Sequence, residues 1–226
     1  MKYFEFGQEH PELMVMLHGG VCYRGALPVA EEMAKTYHVV LLAYDGFNPD
    51  EPETEFISVP DEARRLGDYI VEHYGGKIDI LYGVSYGTFI LMDVLADERL
   101  TITTTIADGM PTMDYADIKN PVLQDIYIFF LTGFSYWLIG KAGPVRRKIV
   151  CKMMDRTEES FDRIVYHDAT WQSWVNQDKC MIGRQQKLPQ RRGRHLRLHC
   201  HYELLCRVPG CCFISGDRGN RGKSDP

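Results

Sequence analysis

The chain has 226 residues, 45% of them hydrophobic and 25% charged, which leaves room for one domain with a sizeable core. The net charge of −5 is unevenly spread: residues 1–179 carry 16 Lys and Arg against 28 Asp and Glu, whereas residues 180–226 carry 10 against 3. No signal peptide is read at the start and no uninterrupted apolar run reaches the roughly 18 residues of a membrane span, so a cytoplasmic protein without a membrane span is expected.

Residues 2–6 alternate as an edge strand would. Leu13-Met14-Val15-Met16-Leu17 is an apolar run suited to a strand covered on both faces, and it leads directly into His18-Gly19-Gly20. Residues 26–37 predict an amphipathic helix with Leu27, Ala30 and Met33 inward, and residues 38–44 predict a strand ending at Asp45-Gly46. The acidic stretch 47–60, with Pro49, Pro52 and Pro60, predicts a solvated loop. A helix is expected over 58–74, with Ala63, Leu66, Tyr69 and Ile70 buried. A β-branched strand over 78–82 and an apolar helix over 88–96 then enclose Gly83-Val84-Ser85-Tyr86-Gly87, and a further strand over 100–107 ends at Asp108-Gly109. Strands alternating with helices in this way argue for a parallel sheet covered on both sides.

A serine on a tight strand-to-helix turn, with glycines two positions before and after it, forms the G-x-S-x-G nucleophile elbow. Residues without a Cβ let strand and helix approach closely around it. An ordinary turn with an idle serine is the alternative. On this elbow, on Leu17-His18-Gly19-Gly20 and on the order of elements between them, residues 1–178 resemble the α/β-hydrolase superfamily. The resemblance implies an α/β fold with a mostly parallel sheet, helices on both faces and a helical lid. It also implies a Ser-acid-His triad in that chain order, with Ser85 as nucleophile, acting on a small, partly apolar ester or amide without metal or cofactor. Asp108 stands where some members place the acid; a simple Asp-Gly turn is the other reading. The oxyanion hole would combine the N–H of Tyr86 with one from the His18-Gly19-Gly20 loop, assigned by position to Gly20. That loop alone reads equally as a tight turn, and His18 as a structural histidine.

On this reading residues 1–109 are the hydrolase core and 110–178 the lid. The lid holds two apolar, aromatic segments, 126–131 and 134–139, divided by Thr132-Gly133; such a face suits an acyl group, and packing of the lid against the core is the other reading, expected for most of these rings. Arg146-Arg147-Lys148 reads as a solvated helix end rather than a phosphate site, and His167-Asp168 is placed in a helix ending near Gln177.

Residues 179–226 depart from the pattern. They hold five of the seven cysteines and a run of Arg and His, without a clear strand-helix-strand rhythm. Cys211-Cys212-Phe213-Ile214-Ser215-Gly216-Asp217 is similar to a strand delivering a triad acid, yet no histidine follows it. Three readings compete: an out-of-frame tail lacking the last native strands, a metal site from His195, His199, His201 and the nearby cysteines, and a basic nucleic-acid-binding tail. Zinc-ligand spacing and nucleic-acid motifs are both missing, which favours the first; no metal and no nucleic acid are expected. If the tail is native, His195, His199 and His201 are the candidates for the triad base. Nothing in the sequence sets the oligomeric state.

Overall fold

Alternation along the strands divides the core into two halves. A computed structural model describes residues 1–184 apart from 21, 110–117 and 119, with backbone only for 182–184. The tail readings above, including His195, His199, His201 and the missing final strands, lie outside the described residues. Among the described residues five strands form one sheet: β1 (Lys2–Phe6), β2 (Leu13–Leu17), β3 (His38–Ala43), β4 (Lys77–Val84) and β5 (Thr101–Asp108), in the order β1-β3-β2-β4-β5. Only β1 is antiparallel to its neighbour. Val15 lies opposite Val40 on one side and Leu81 on the other, and all three face α2 (Val59–Tyr74) and α3 (Gly87–Ala96). The intervening residues Met14, Met16, Val39 and Leu41 face the opposite side, where α1 (Leu27–Met33) packs. Helices therefore cover both faces, as the sequence predicts, although α1 stops four residues before Tyr37.

Local chemistry sets the ends of α2. The Ser58 hydroxyl accepts the Asp61 N–H at 3.2 Å, and Gly75 takes the left-handed conformation (φ 60°) that ends the helix. A second helical layer follows β5: α4 (Pro121–Ser135), a π-helical turn (Tyr136–Gly140), α5 (Pro144–Met153), α6 (Glu158–Ile164) and α7 (Trp171–Arg184). Its packing depends on aromatic rings. Tyr136 meets Trp171 and Trp174 edge-on, and Phe129 meets Trp171.

Four local expectations change. Thr132-Gly133 does not divide the apolar segments, because the Thr132 hydroxyl bonds to Asp178 and Gly133 rests against Trp171. One glycine costs a helix about 1 kcal/mol, and this packing offsets it. Residues 47–60 are more than a solvated loop: Phe47 and Phe56 are fully buried, and the Phe56 backbone bonds to Ser173 and Asn176 of α7. The prolines and acids of that stretch mask two aromatic anchors. His167-Asp168 occupies a turn between α6 and α7 instead of a helix. Arg147 is tied to Glu158 and Asp162, so the basic run at 146–148 is partly an ion-pair clamp between α5 and α6.

Candidate active site

Ser85 follows the last residue of β4 and precedes α3, with its backbone at φ 49°. A non-glycine residue at positive φ is strained, so the surroundings must hold it there. They do so through the backbone. The Ser85 N–H donates to the Asp108 carbonyl at 2.8 Å, and the Thr88 N–H and hydroxyl donate to the Ser85 carbonyl at 3.0 and 2.6 Å. A Cβ on Gly83 would lie 2.9 Å from Leu91 Cδ1, and one on Gly87 would lie 2.2 Å from the Leu17 carbonyl oxygen. Both elbow glycines are thus required by close approach, one to the helix above and one to the end of β2.

The His18-Gly19-Gly20 loop lies directly against the serine. A Cβ on Gly19 would come within 2.8 Å of Ser85 Cβ, and Gly20 is itself at φ 71°. Tyr86 opens α3, so its N–H sits at the positive end of the helix dipole. His18 is buried and stacks on Tyr44 with centroids 4.0 Å apart. Its Nδ1 lies 3.1 Å from the Gly19 carbonyl, Nε2 has no hydrogen-bond partner, and burial pushes its pKa down to about 4. His18 is therefore neutral at pH 7 and a weak base.

Ser85, His18, Gly19 and Gly20 line a cavity of about 310 Å³ whose far wall is the second helical layer. Val29, Phe161, Ile164 and Trp174 make the lining mainly apolar. Of the segment 134–139, only Ser135 and Ile139 reach the cavity; Phe134 and Trp137 face solvent. Phe134 and Trp137 thus serve neither the acyl contact nor the core packing that the sequence offers for them.

Two lining residues carry charge and have no counterpart in the sequence reading: Arg156 and Asp178. Asp178 is buried, accepts the Thr132 hydroxyl at 2.7 Å, and burial raises its pKa to about 6. It stands four residues after Trp174, on the same face of α7, and that spacing was its only sequence signal. Asp108 is at the end of β5 opposite Val84, but its carboxylate accepts the Tyr82 hydroxyl at 3.2 Å and does not line the cavity. The His167 ring nitrogens face the Gly140 carbonyl and the Asp162 carboxylate, also outside the cavity. Among the described residues no group of three His, Cys, Asp or Glu side chains is arranged to hold a metal ion.

Over residues 14–220 the chain matches the alpha/beta hydrolase family. Similar solved structures include a putative alpha/beta hydrolase family protein from Desulfitobacterium hafniense, 17% identical with a TM-score of 0.61, over 79% of this chain and 71% of that one. A thermophilic esterase from Thermogutta terrifontis is 17% identical with a TM-score of 0.56, over 81% and 67%. The epoxide hydrolase CorEH is 18% identical with a TM-score of 0.55, over 80% and 68%. At these identities the likeness is one of fold. No curated protein sequence matches the chain.

Proposed function

The chain belongs to the alpha/beta hydrolase family and is an enzyme of hydrolase type, and on that premise we propose that it is a serine hydrolase cleaving an ester or amide bond of a small, partly apolar substrate. One observation carries the reading: Ser85 is held in left-handed backbone at the cavity floor, against the His18-Gly19-Gly20 loop and the first turn of α3. In this reading the Ser85 hydroxyl attacks the substrate carbonyl, and the Tyr86 and Gly20 N–H groups receive the developing oxyanion. The alcohol or amine leaves with a proton delivered by the base. Water then cleaves the acyl-enzyme by the same route in reverse order. The acyl part rests against Val29, Phe161 and Trp174.

The base needs a pKa near the working pH, which His18 at about 4 does not have. With a native tail we assign it to one of His195, His199 and His201, with Asp108 as the acid that orients it, in the order Ser, acid, His; with an out-of-frame tail the chain is instead a catalytically incomplete hydrolase-like scaffold that lacks its base. On p-nitrophenyl butyrate, Ser85→Ala is expected to lower kcat by a factor on the order of 10⁴ or more. A fluorophosphonate probe should label Ser85 in the parent protein. Mutant turnover within about tenfold of the parent removes Ser85 from the role. Single His→Ala variants at 195, 199 and 201 locate the base by the same assay.

A further inference from the structure

Thirteen large apolar side chains are exposed among the described residues, and eleven of them lie between positions 122 and 153. They are not scattered over that segment. Leu123, Ile126, Tyr127, Phe130, Phe134 and Trp137 follow one another at helical spacing along the outer side of α4 and the π-helical turn. On α5, Val145, Ile149 and Met153 repeat every four residues, and the exposed Lys148 and Lys152 alternate with them. The two stripes join where the Arg146 guanidinium lies 4.1 Å from the centroid of the Trp137 ring. An exposed apolar patch of this extent marks an interaction surface.

Charge decides the partner. From residue 121 to 153 there are five basic residues and one acidic residue; Arg147 is tied to Glu158 and Asp162, which leaves Lys141, Arg146, Lys148 and Lys152 against Asp125, in a chain whose net charge is −5. A second copy packing this face on itself would bring like charges together. The basic tail, with 10 Lys and Arg against 3 acids from residue 180 onward, would be repelled in the same way. An anionic bilayer suits both features: aromatic and aliphatic side chains enter the headgroup boundary while lysines and arginine meet lipid phosphates.

We propose that the outer face of α4, the π-helical turn and α5 is a docking surface for an anionic lipid bilayer, on which the chain lies as a peripheral protein. Pro121–Gly140 is long and apolar enough to cross a membrane by length and composition. Its inner side, however, is committed to the fold through Ile128, through Thr132 bonded to Asp178, and through Tyr136 against Trp171 and Trp174. Lying along the interface keeps those contacts, whereas spanning would break them. Ser135 and Ile139 of the same helical stretch line the cavity, so docking sets the substrate chamber directly behind the lipid contact.

The test is co-sedimentation of the full chain with vesicles, a readout independent of turnover and of Ser85. Binding is expected to vesicles of phosphatidylcholine mixed equally with phosphatidylglycerol, to be much weaker with phosphatidylcholine alone, and to fall as salt is raised. Lys148→Gln with Lys152→Gln should weaken binding to mixed vesicles by about 25-fold, at about 1 kcal/mol per basic residue near the surface. Phe130→Ser with Phe134→Ser should remove binding to mixed vesicles. Both pairs are exposed, so circular dichroism should be unchanged. Equal binding to both vesicle types overturns the proposal, as does no binding to either. A dimer in solution that the paired phenylalanine substitutions dissociate would assign the face to a second copy and also overturn it.

Discussion

Gly83 and Gly87 flank Ser85 symmetrically in sequence, but they are needed for different reasons. A Cβ on Gly83 would meet Leu91 Cδ1 at 2.9 Å and the Gly87 carbonyl oxygen at 3.0 Å, whereas one on Gly87 would meet the Leu17 carbonyl oxygen at 2.2 Å and the His18 carbonyl oxygen at 2.8 Å. A contact near 3 Å is relieved by a shift of a few tenths of an ångström; a 2.2 Å overlap with a carbonyl at the end of a central strand is not. Gly87→Ala should therefore be the more damaging of the two, with a cost of about 3 kcal/mol and loss of activity as the His18-Gly19-Gly20 loop is pushed off the serine. Gly133 is the opposite case. A Cβ there would lie 3.9 Å from the Trp171 ring, an ordinary contact, and the position is inside α4. Gly133→Ala should stabilise by about 0.5–1 kcal/mol through helix propensity alone. Urea denaturation of the two variants checks both signs, and a stabilised Gly87→Ala would contradict the packing argument.

At the scale of elements, one helical stretch has two chemically distinct sides. Ile139 and Ser135 line the cavity, while Trp137 and Phe134 face solvent within the same two turns. Substrate selection and surface docking are therefore separable by mutation. Ile139→Ala should reduce kcat/KM for an octanoyl ester roughly tenfold more than for an acetyl ester, because only the longer chain reaches that wall. Trp137→Ala should leave the octanoyl-to-acetyl ratio unchanged. A parallel loss of chain-length preference in both variants would mean that Trp137 reaches the substrate after all. The Phe47 and Phe56 anchors show the same principle, since they hold an acidic loop under α7 and so brace the cavity wall that Trp174 forms.

For the whole molecule, buried carboxyls make stability depend on pH. Glu62 is buried on α2 with neither carboxylate oxygen hydrogen-bonded, and burial, reinforced by Asp45 and opposed by Arg65, raises its pKa from 4.5 to about 8. Asp178 is shifted in the same direction, from 3.8 to about 6, by burial. The folded chain holds these protons to higher pH than the unfolded chain does. For Glu62, stability is therefore lost as pH rises from 4.5 to about 8, at up to about 1.4 kcal/mol per pH unit. Thermal unfolding across that window should show a falling Tm in the parent and a flatter profile in Glu62→Gln, with the variant the more stable at pH 8. A parent whose Tm rises steadily over this range would show that Glu62 is ionised in the folded state.

Patterns that repeat over a few residues were legible from the sequence. Strand alternation places Val15 and Met16 on opposite faces, and the glycine spacing around Ser85 marks a turn whose strain the backbone angles confirm. The α/β class and the strand-helix order were legible for the same reason: periodicity is a property of neighbours along the chain. Long-range packing decided the rest. The direction in which an apolar residue faces depends on which distant element covers it, so Trp137 and Ile139 look alike in sequence and part company only in the fold. Phe47 and Phe56 are buried because α7, more than a hundred residues away, closes over them. Asp178 was unremarkable as one polar residue in a polar helix. It becomes a cavity group because α4 and α7 pack together beside the chamber that Ser85 opens into, and burial there raises its pKa against the Thr132 hydrogen bond, which lowers it.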